Sequence, residues 1–287
     1  MVSFSISVRK RMWAARSEAV RFFRKSDARV IESFRIFRPD STGSYRDLAR
    51  LTVQAAEQTF PLMIHLLDSA GTKIADPVPI TCLPDTEERR SAATRFKQLL
   101  DQYGSDKASP HNYHLLYATI LDPGSVASVL EIGLGTNDVN VVSNMGRKGK
   151  PGASLRALRD FLPRAQIYGA DVDREILFSE DRIATYFVDQ TDISSFDALG
   201  AAIHGDFDLI IDDGLHSPNA NLATLAFGLG RLNVGGHIVI EDIRPEALPI
   251  WQVVATLLPS SYGAQVVAAA GGLAFHVHRQ AKGDHDS

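Results

Sequence analysis

Two short apolar runs in this chain each end abruptly in acidic residues: Ile210-Ile211-Asp212-Asp213-Gly214-Leu215-His216 and, one helix length later, Ile238-Val239-Ile240-Glu241-Asp242. Read as buried parallel strands, they deliver Asp213, His216, Glu241 and Asp242 to one carboxyl edge of a sheet, the edge at which open α/β sheets bind ligands. Three carboxylates brought together repel one another, and such a cluster is tolerated at neutral pH when a cation or shared protons compensate it. The chemistry these residues point to is a divalent metal beside a histidine, with Asp213, Glu241 and Asp242 as hard oxygen ligands of the kind magnesium takes. The plainer alternative has Asp213 and His216 capping a helix that starts near Ser217, with Glu241 and Asp242 solvated at a strand end.

A second constellation lies upstream. Val129 to Ile132 is an apolar strand that runs into Gly133-Leu134-Gly135-Thr136, and glycines at such a turn let backbone amides approach a nucleoside or dinucleotide closely. Asp138 stands where a dinucleotide fingerprint has its third glycine, which argues against a nicotinamide-dependent oxidoreductase. The next strand ends at Asp171, placed to accept hydrogen bonds from ribose hydroxyls, and the one after it ends Val188-Asp189-Gln190, where a carboxylate can meet an adenine amino group. Each acid alone could equally serve a loop or a cap.

These residues need a frame. From about residue 126 onward, short apolar runs alternate with helical patterns, the signature of a parallel sheet flanked by helices. Strands are expected at 126–132, 166–171, 182–188, 207–212 and 236–242, with helices at 153–161, 194–203 and 217–232. Residues 264–269, Gly271-Gly272 and 273–278 read as a closing antiparallel hairpin. Between Thr136 and Gly152 runs a long polar loop of the kind that serves as a lid or an insertion. Residues 1–85 read as an N-terminal extension or small cap, with a helix near 47–58 and a short strand at 61–67, and residues 86–287 as the main domain. Its first helix follows Asp85 and reaches about Gln102.

With 287 residues, of which 45% are hydrophobic and 22% charged, the chain can bury one full-sized core. A net charge of -4 gives no electrostatic reason for a nucleic-acid partner, although residues 9–29 are locally basic. The one cysteine, Cys82, has no partner for an intrachain disulfide. No apolar run reaches the length of a membrane span, and cytoplasmic residence is the default expectation. A homo-oligomer is compatible with all of this.

The glycine-rich motif at Glu131 to Gly135, the acid at Asp171 and the acid at Asp189 together resemble the class I S-adenosylmethionine-dependent methyltransferases. The fold so implied is a Rossmann-like α/β sheet, mostly parallel with an antiparallel C-terminal hairpin and helices on both faces. At Asp213-Gly214-Leu215-His216 and Glu241-Asp242 the chain is similar to the metal-dependent sugar O-methyltransferases related to the mycinamicin and macrocin tailoring enzymes, over roughly residues 104–280. The resemblance implies S-adenosyl-L-methionine and Mg²⁺ as cofactors, metal ligation by Asp213, Glu241 and Asp242, and His216 as the base that takes a proton from a sugar hydroxyl. It implies cofactor contacts from Glu131, Gly133, Gly135, Asp171, Asp189, Gln190 and Asp212, and from Lys107 and Tyr113, whose segment lies over the cofactor in that family. The expected acceptor is a sugar on a glycan precursor or glycosylated natural product; a diol-type small molecule is the alternative that the same chelating geometry would serve.

Overall fold

The computed structural model describes residues 45–281, with side chains from residue 50 onward. The described residues divide into two compact units, one ending at residue 72 and the other beginning at residue 73. In the first, the helix α1 (Tyr45–Ser69) runs through Pro61 and takes in the stretch 61–67 that its composition marks as a strand. The apolar residues there recur as Leu62-Met63 and Leu66-Leu67, four apart, so a helical stripe and a strand compete for the same letters, and the helix takes them.

The second unit is a nine-stranded sheet with helices. Its elements in chain order are β1 (Val78–Pro79), α2 (Glu87–Tyr103), α3 (Tyr113–Ile120), β2 (Ser128–Ile132), α4 (Ala153–Phe161), β3 (Gln166–Asp171), β4 (Ser179–Glu180), β5 (Ile183–Phe187), α5 (Ile193–Ala202), β6 (Phe207–Asp212), α6 (Pro218–Leu229), β7 (Leu232–Ile243), α7 (Leu248–Leu257), β8 (Tyr262–Ala269) and β9 (Gly272–Arg279). The sequence boundary near residue 85 leaves β1 outside the main domain, whereas β1 pairs in parallel with β8 inside this unit.

Across the sheet the strands run β1-β8-β9-β7-β6-β2-β3-β5-β4. Pairings from β5 through β3, β2 and β6 to β7 are parallel, and β9 joins β7 and β8 antiparallel. This is the Rossmann-like methyltransferase sheet expected from the sequence. Its chain order reverses between β2 and β6, so the carboxyl ends of those neighbours flank the crevice where such sheets bind ligands.

Two apolar layers cover the two faces. Phe96, Leu100, Tyr117, Leu155 and Phe161 pack on one, with Phe96 and Phe161 stacked at 4.4 Å between ring centroids. Phe207, Ile210, Ile238, Trp251 and Phe275 build the other. Central strands buried on both faces must read as continuous apolar runs, which is why β6 and the core of β7 were legible as letters.

Candidate active site

One cavity of about 690 Å³ lies along the carboxyl edge and is lined at one end by Asp171, Asp189 and Gln190 and at the other by Asp213, His216 and Asp242. Gly133 and Gly135 line it too, with φ of +94° and +79°. A Cβ on Gly133 would sit 2.1 Å from the carbonyl oxygen of Asp213, so the turn after β2 and the turn after β6 touch backbone to backbone only because residue 133 has no side chain.

At the nucleoside end, Asp171 accepts the Leu134 amide at 2.7 Å and the Asp173 amide at 2.8 Å, which fixes the glycine turn against β3. Burial raises its pKa and those amides work the other way. Asp189 accepts the Thr191 amide and hydroxyl on Oδ1, at 2.9 and 2.7 Å, and Oδ2 takes no part in those bonds. Gln190 bridges β5 to the β6 turn: its Nε2 donates to Asp212 Oδ1 and Thr224 Oγ1, both at 2.9 Å, and its Oε1 accepts the Leu215 amide at 2.8 Å. Asp212 is fully buried and also accepts from Asn221 Nδ2 at 3.1 Å, so it holds the turn from behind and does not line the cavity. Asn221 and Thr224 join the site without a motif to mark them, although two polar residues three apart among the apolar residues of α6 are a readable signal.

The acidic end divides into two groups. Asp213, His216 and Asp242 offer ligand atoms that all lie within 4.8 Å of one another, with His216 Nε2 4.0 Å from both Asp213 Oδ1 and Asp242 Oδ2. Their side chains keep 24 to 29% of their exposure, through the cavity. Glu241 stands outside this set, 1% exposed, with one oxygen accepting from Lys107 and the other from Tyr117. Neighbours in sequence thus face different surroundings, as successive strand residues do, and here the β7 to β9 register also shifts between Ile240 and Ile243 while Asp242 adopts a φ of +53°. His216 is likewise left-handed, at φ +56°. Two non-glycine residues in this sparsely populated region, side by side at one cavity, mark a place where the surrounding structure enforces local strain.

Lys107 lies behind these groups with its ammonium 2.6 Å from Asp213 Oδ2, 3.1 Å from Glu131 Oε1 and against Glu241. Its burial opposes the charge, but Asp213, Glu241 and Glu131 outweigh it and hold the lysine protonated, well above its ordinary pKa. Burial in turn pushes Glu131, Asp213 and Glu241 upward, with Lys107 only partly offsetting it. Glu131 is fully buried and also accepts from Ser154 Oγ at 2.8 Å. Glu131, Lys107 and Tyr113, all expected to contact a cofactor, therefore face the interior and do not line the cavity. Tyr113 bonds Asp242, and Tyr117, which the sequence left without a role, closes the far side of Glu241.

The donor chemistry fits a hard divalent cation at Asp213 and Asp242: two carboxylates of adjacent strands, an imidazole beside them and open space on the cavity side. The cavity also has the size of a nucleoside cofactor site, with acids on two strand ends and a glycine turn between them.

No family model matches the chain. Over 184 residues it is 32% identical to the 8-demethyl-8-alpha-L-rhamnosyl tetracenomycin-C 2'-O-methyltransferase of Streptomyces olivaceus, a match that takes in 62% of this chain and 46% of that one. Over 93 residues it is 42% identical to the mycinamicin VI 2''-O-methyltransferase of Micromonospora griseorubida, covering 32% of this chain and 23% of the relative. The chain thus spans less than half the length of these curated relatives. Among solved structures, the MycE methyltransferase of the mycinamycin biosynthetic pathway, in complex with Mg and SAH, superposes with a TM-score of 0.54 at 23% identity, over 67% of this chain and 56% of that one. The fold is the Rossmann-like methyltransferase fold of that neighbour, and in sequence the chain is similar to O-methyltransferases that act on glycosylated compounds.

Proposed function

We propose that this chain transfers a methyl group from S-adenosylmethionine to a sugar hydroxyl of a glycosylated natural product, with Mg²⁺ at Asp213 and Asp242. The observation that carries the reading is the continuity of one cavity from Asp171 and Asp189 to Asp213, His216 and Asp242. A nucleoside acid pair and an open carboxylate and imidazole cluster share a single space, so a cofactor and an acceptor can meet there without crossing bulk water.

Bound there, S-adenosylmethionine supplies an electrophilic methyl and Mg²⁺ supplies the charge that makes a coordinated hydroxyl more acidic. The protein's own groups do the rest. Asp171 and Asp189 accept from the ribose and the adenine, while the amides of the glycine turn set the depth of binding. His216 Nε2, facing the gap between Asp213 and Asp242, takes the hydroxyl proton. Lys107 engages Asp213 on Oδ2, which leaves Oδ1 turned toward His216 and the cavity. Glu241, engaged by Lys107 and Tyr117, backs this arrangement by holding the lysine in place.

The reading is tested by incubating the purified chain with methyl-labelled S-adenosylmethionine, Mg²⁺ and a panel containing mycinamicin VI, the rhamnosyl tetracenomycin named above and catechol. The expected result is label on a glycoside, lost in EDTA and restored by Mg²⁺. Label on catechol alone would replace the sugar by a simple diol, transfer undiminished in metal-free buffer would remove the metal, and absence of S-adenosylhomocysteine binding by calorimetry would end the reading.

A further inference from the structure

The amino-acid end of the cofactor needs one negative and one positive group, and two acids expected among the cofactor contacts, Asp212 and Glu131, are not within reach. Asp212 is fully buried, engaged by Gln190 and Asn221, and does not line the cavity. Glu131 is fully buried, occupied by Ser154 and Lys107, and Lys107 is itself spent on three carboxylates. In the wall of the cavity that Gly133 and Gly135 also line stand two other charges, Asp106 and Lys150. Both side chains are exposed, and neither takes part in an ion pair or side-chain hydrogen bond among the described residues.

Their convergence is built into the backbone. Asp106 follows the left-handed cap of α2 at Gly104, φ +80°, and precedes the anchored Lys107. Lys150 reaches across from the loop before α4 and lies over that same glycine, where an added Cβ would come within 2.9 Å of its Nζ. The first turn of α4 adds to the positive side. The Ala153 amide donates to the Lys150 carbonyl at 3.0 Å, the cap Gly152 has no side chain to accept from the amides that follow, and Ala153 and Ser154 line the cavity.

We propose that Asp106 and Lys150 form the subsite for the zwitterionic end of the cofactor, Asp106 accepting from its ammonium and Lys150, with the start of α4, holding its carboxylate. The assignment rests on the cofactor reading above. It explains why a long loop separates the glycine turn from α4: the loop carries Lys150 back over residue 104, to the side of the cavity on which Asp106 stands.

The test is calorimetric, with S-adenosylhomocysteine and 5'-methylthioadenosine as probes; the second carries the same adenosine and thioether without the amino acid. Lys150→Met and Asp106→Asn should each weaken S-adenosylhomocysteine by about tenfold or more, the scale of a lost charge-assisted hydrogen bond, and leave 5'-methylthioadenosine within about twofold. Lys150→Arg should recover most of the loss. Equal weakening of both probes, or unchanged S-adenosylhomocysteine affinity, would overturn the subsite, as would a wild type that binds both probes alike. A wild type that binds neither would overturn the cofactor reading itself and the subsite with it.

Discussion

Tyr113 grips Asp242 at two points: its hydroxyl donates to Oδ1 at 2.8 Å and accepts the Asp242 backbone amide at 2.9 Å. One phenol therefore satisfies both the carboxylate and the amide of a residue held at φ +53° in a strand irregularity. His111 stacks on Tyr113, with ring centroids 5.5 Å apart, and brings Nδ1 to 3.3 Å from the same carboxylate oxygen. Burial, with Glu241 and Asp242 nearby, raises the Tyr113 pKa far above its ordinary value, so the hydroxyl keeps its proton and remains a donor.

It follows that Tyr113→Phe should weaken divalent-metal binding by about 10- to 100-fold, the range found when partners of metal ligands are removed. The fold itself should lose only about 1 to 3 kcal/mol, since the Asp242 amide is left without a partner. Mn²⁺ titration followed by spin resonance, alongside urea denaturation, separates the two effects. Unchanged metal affinity in the variant would show that Asp242 is aimed by the backbone alone.

A second expectation concerns Gly133. An added methyl would meet the Asp213 carbonyl at 2.1 Å, and φ +94° is itself hostile to a side chain. Gly133→Ala should therefore destabilise the domain by more than about 1 kcal/mol and push the two turns apart, lowering cofactor and metal affinity together. A variant as stable as wild type, with both affinities intact, would show that the contact between the turns has room to relax.

The sheet was legible because its central strands are buried on both faces and announce themselves as unbroken apolar runs ending in acids. The surroundings of those acids were not. Glu131 and Asp171 look alike as letters at strand ends, yet Glu131 is sealed by Lys107 and Ser154, 24 and 23 positions away in the chain, while Asp171 opens on the cavity. Glu241 and Asp242 are adjacent, and strand alternation puts them on opposite faces, but which one opens on the cavity depends on a register shift in β7 and the left-handed backbone of Asp242, unmarked by any glycine or proline there. Residues 61–67 show the reverse, because their apolar spacing fits both periods and only the structure selects the helix. The helix α7, apolar almost throughout, offered no amphipathic alternation to read.

His216 separates base from scaffold. Its Nε2 faces two carboxylates at 4.0 Å, and a group so placed is available to a proton lying between them. His216→Ala should cut methyl transfer by about 10² to 10⁴, the usual scale for a general base, with S-adenosylhomocysteine affinity nearly unchanged. A variant retaining more than about a tenth of the rate would leave the metal as sole activator of the hydroxyl and return His216 to a structural role.

The last expectation concerns acid stability, away from the cavity. His237 Nδ1 and His276 Nε2 stand 2.9 Å apart, and Gln265 Nε2 lies 3.1 Å from His276 Nδ1. The amide can only donate to Nδ1, so the second contact requires His276 to be neutral. Burial first, and the neighbouring histidines second, lower the pKa to about 3 for His276 and about 4 for His237. In the unfolded chain both take up a proton near pH 6.5, while the folded chain leaves them neutral. Between about pH 6.5 and 4 the unfolded state therefore binds more protons, and stability falls as pH falls, by at most ~1.4 kcal/mol per pH unit for each histidine. The buried acids Glu131, Asp213 and Glu241, with raised pKa values, act in the opposite direction. The decisive quantity is accordingly a difference: urea midpoints at pH 7, 6 and 5 for wild type and for His276→Gln. The variant should lose stability at pH 7 yet fall less steeply toward pH 5, and parallel slopes for the two proteins would show that the histidine pair is not what acid attacks.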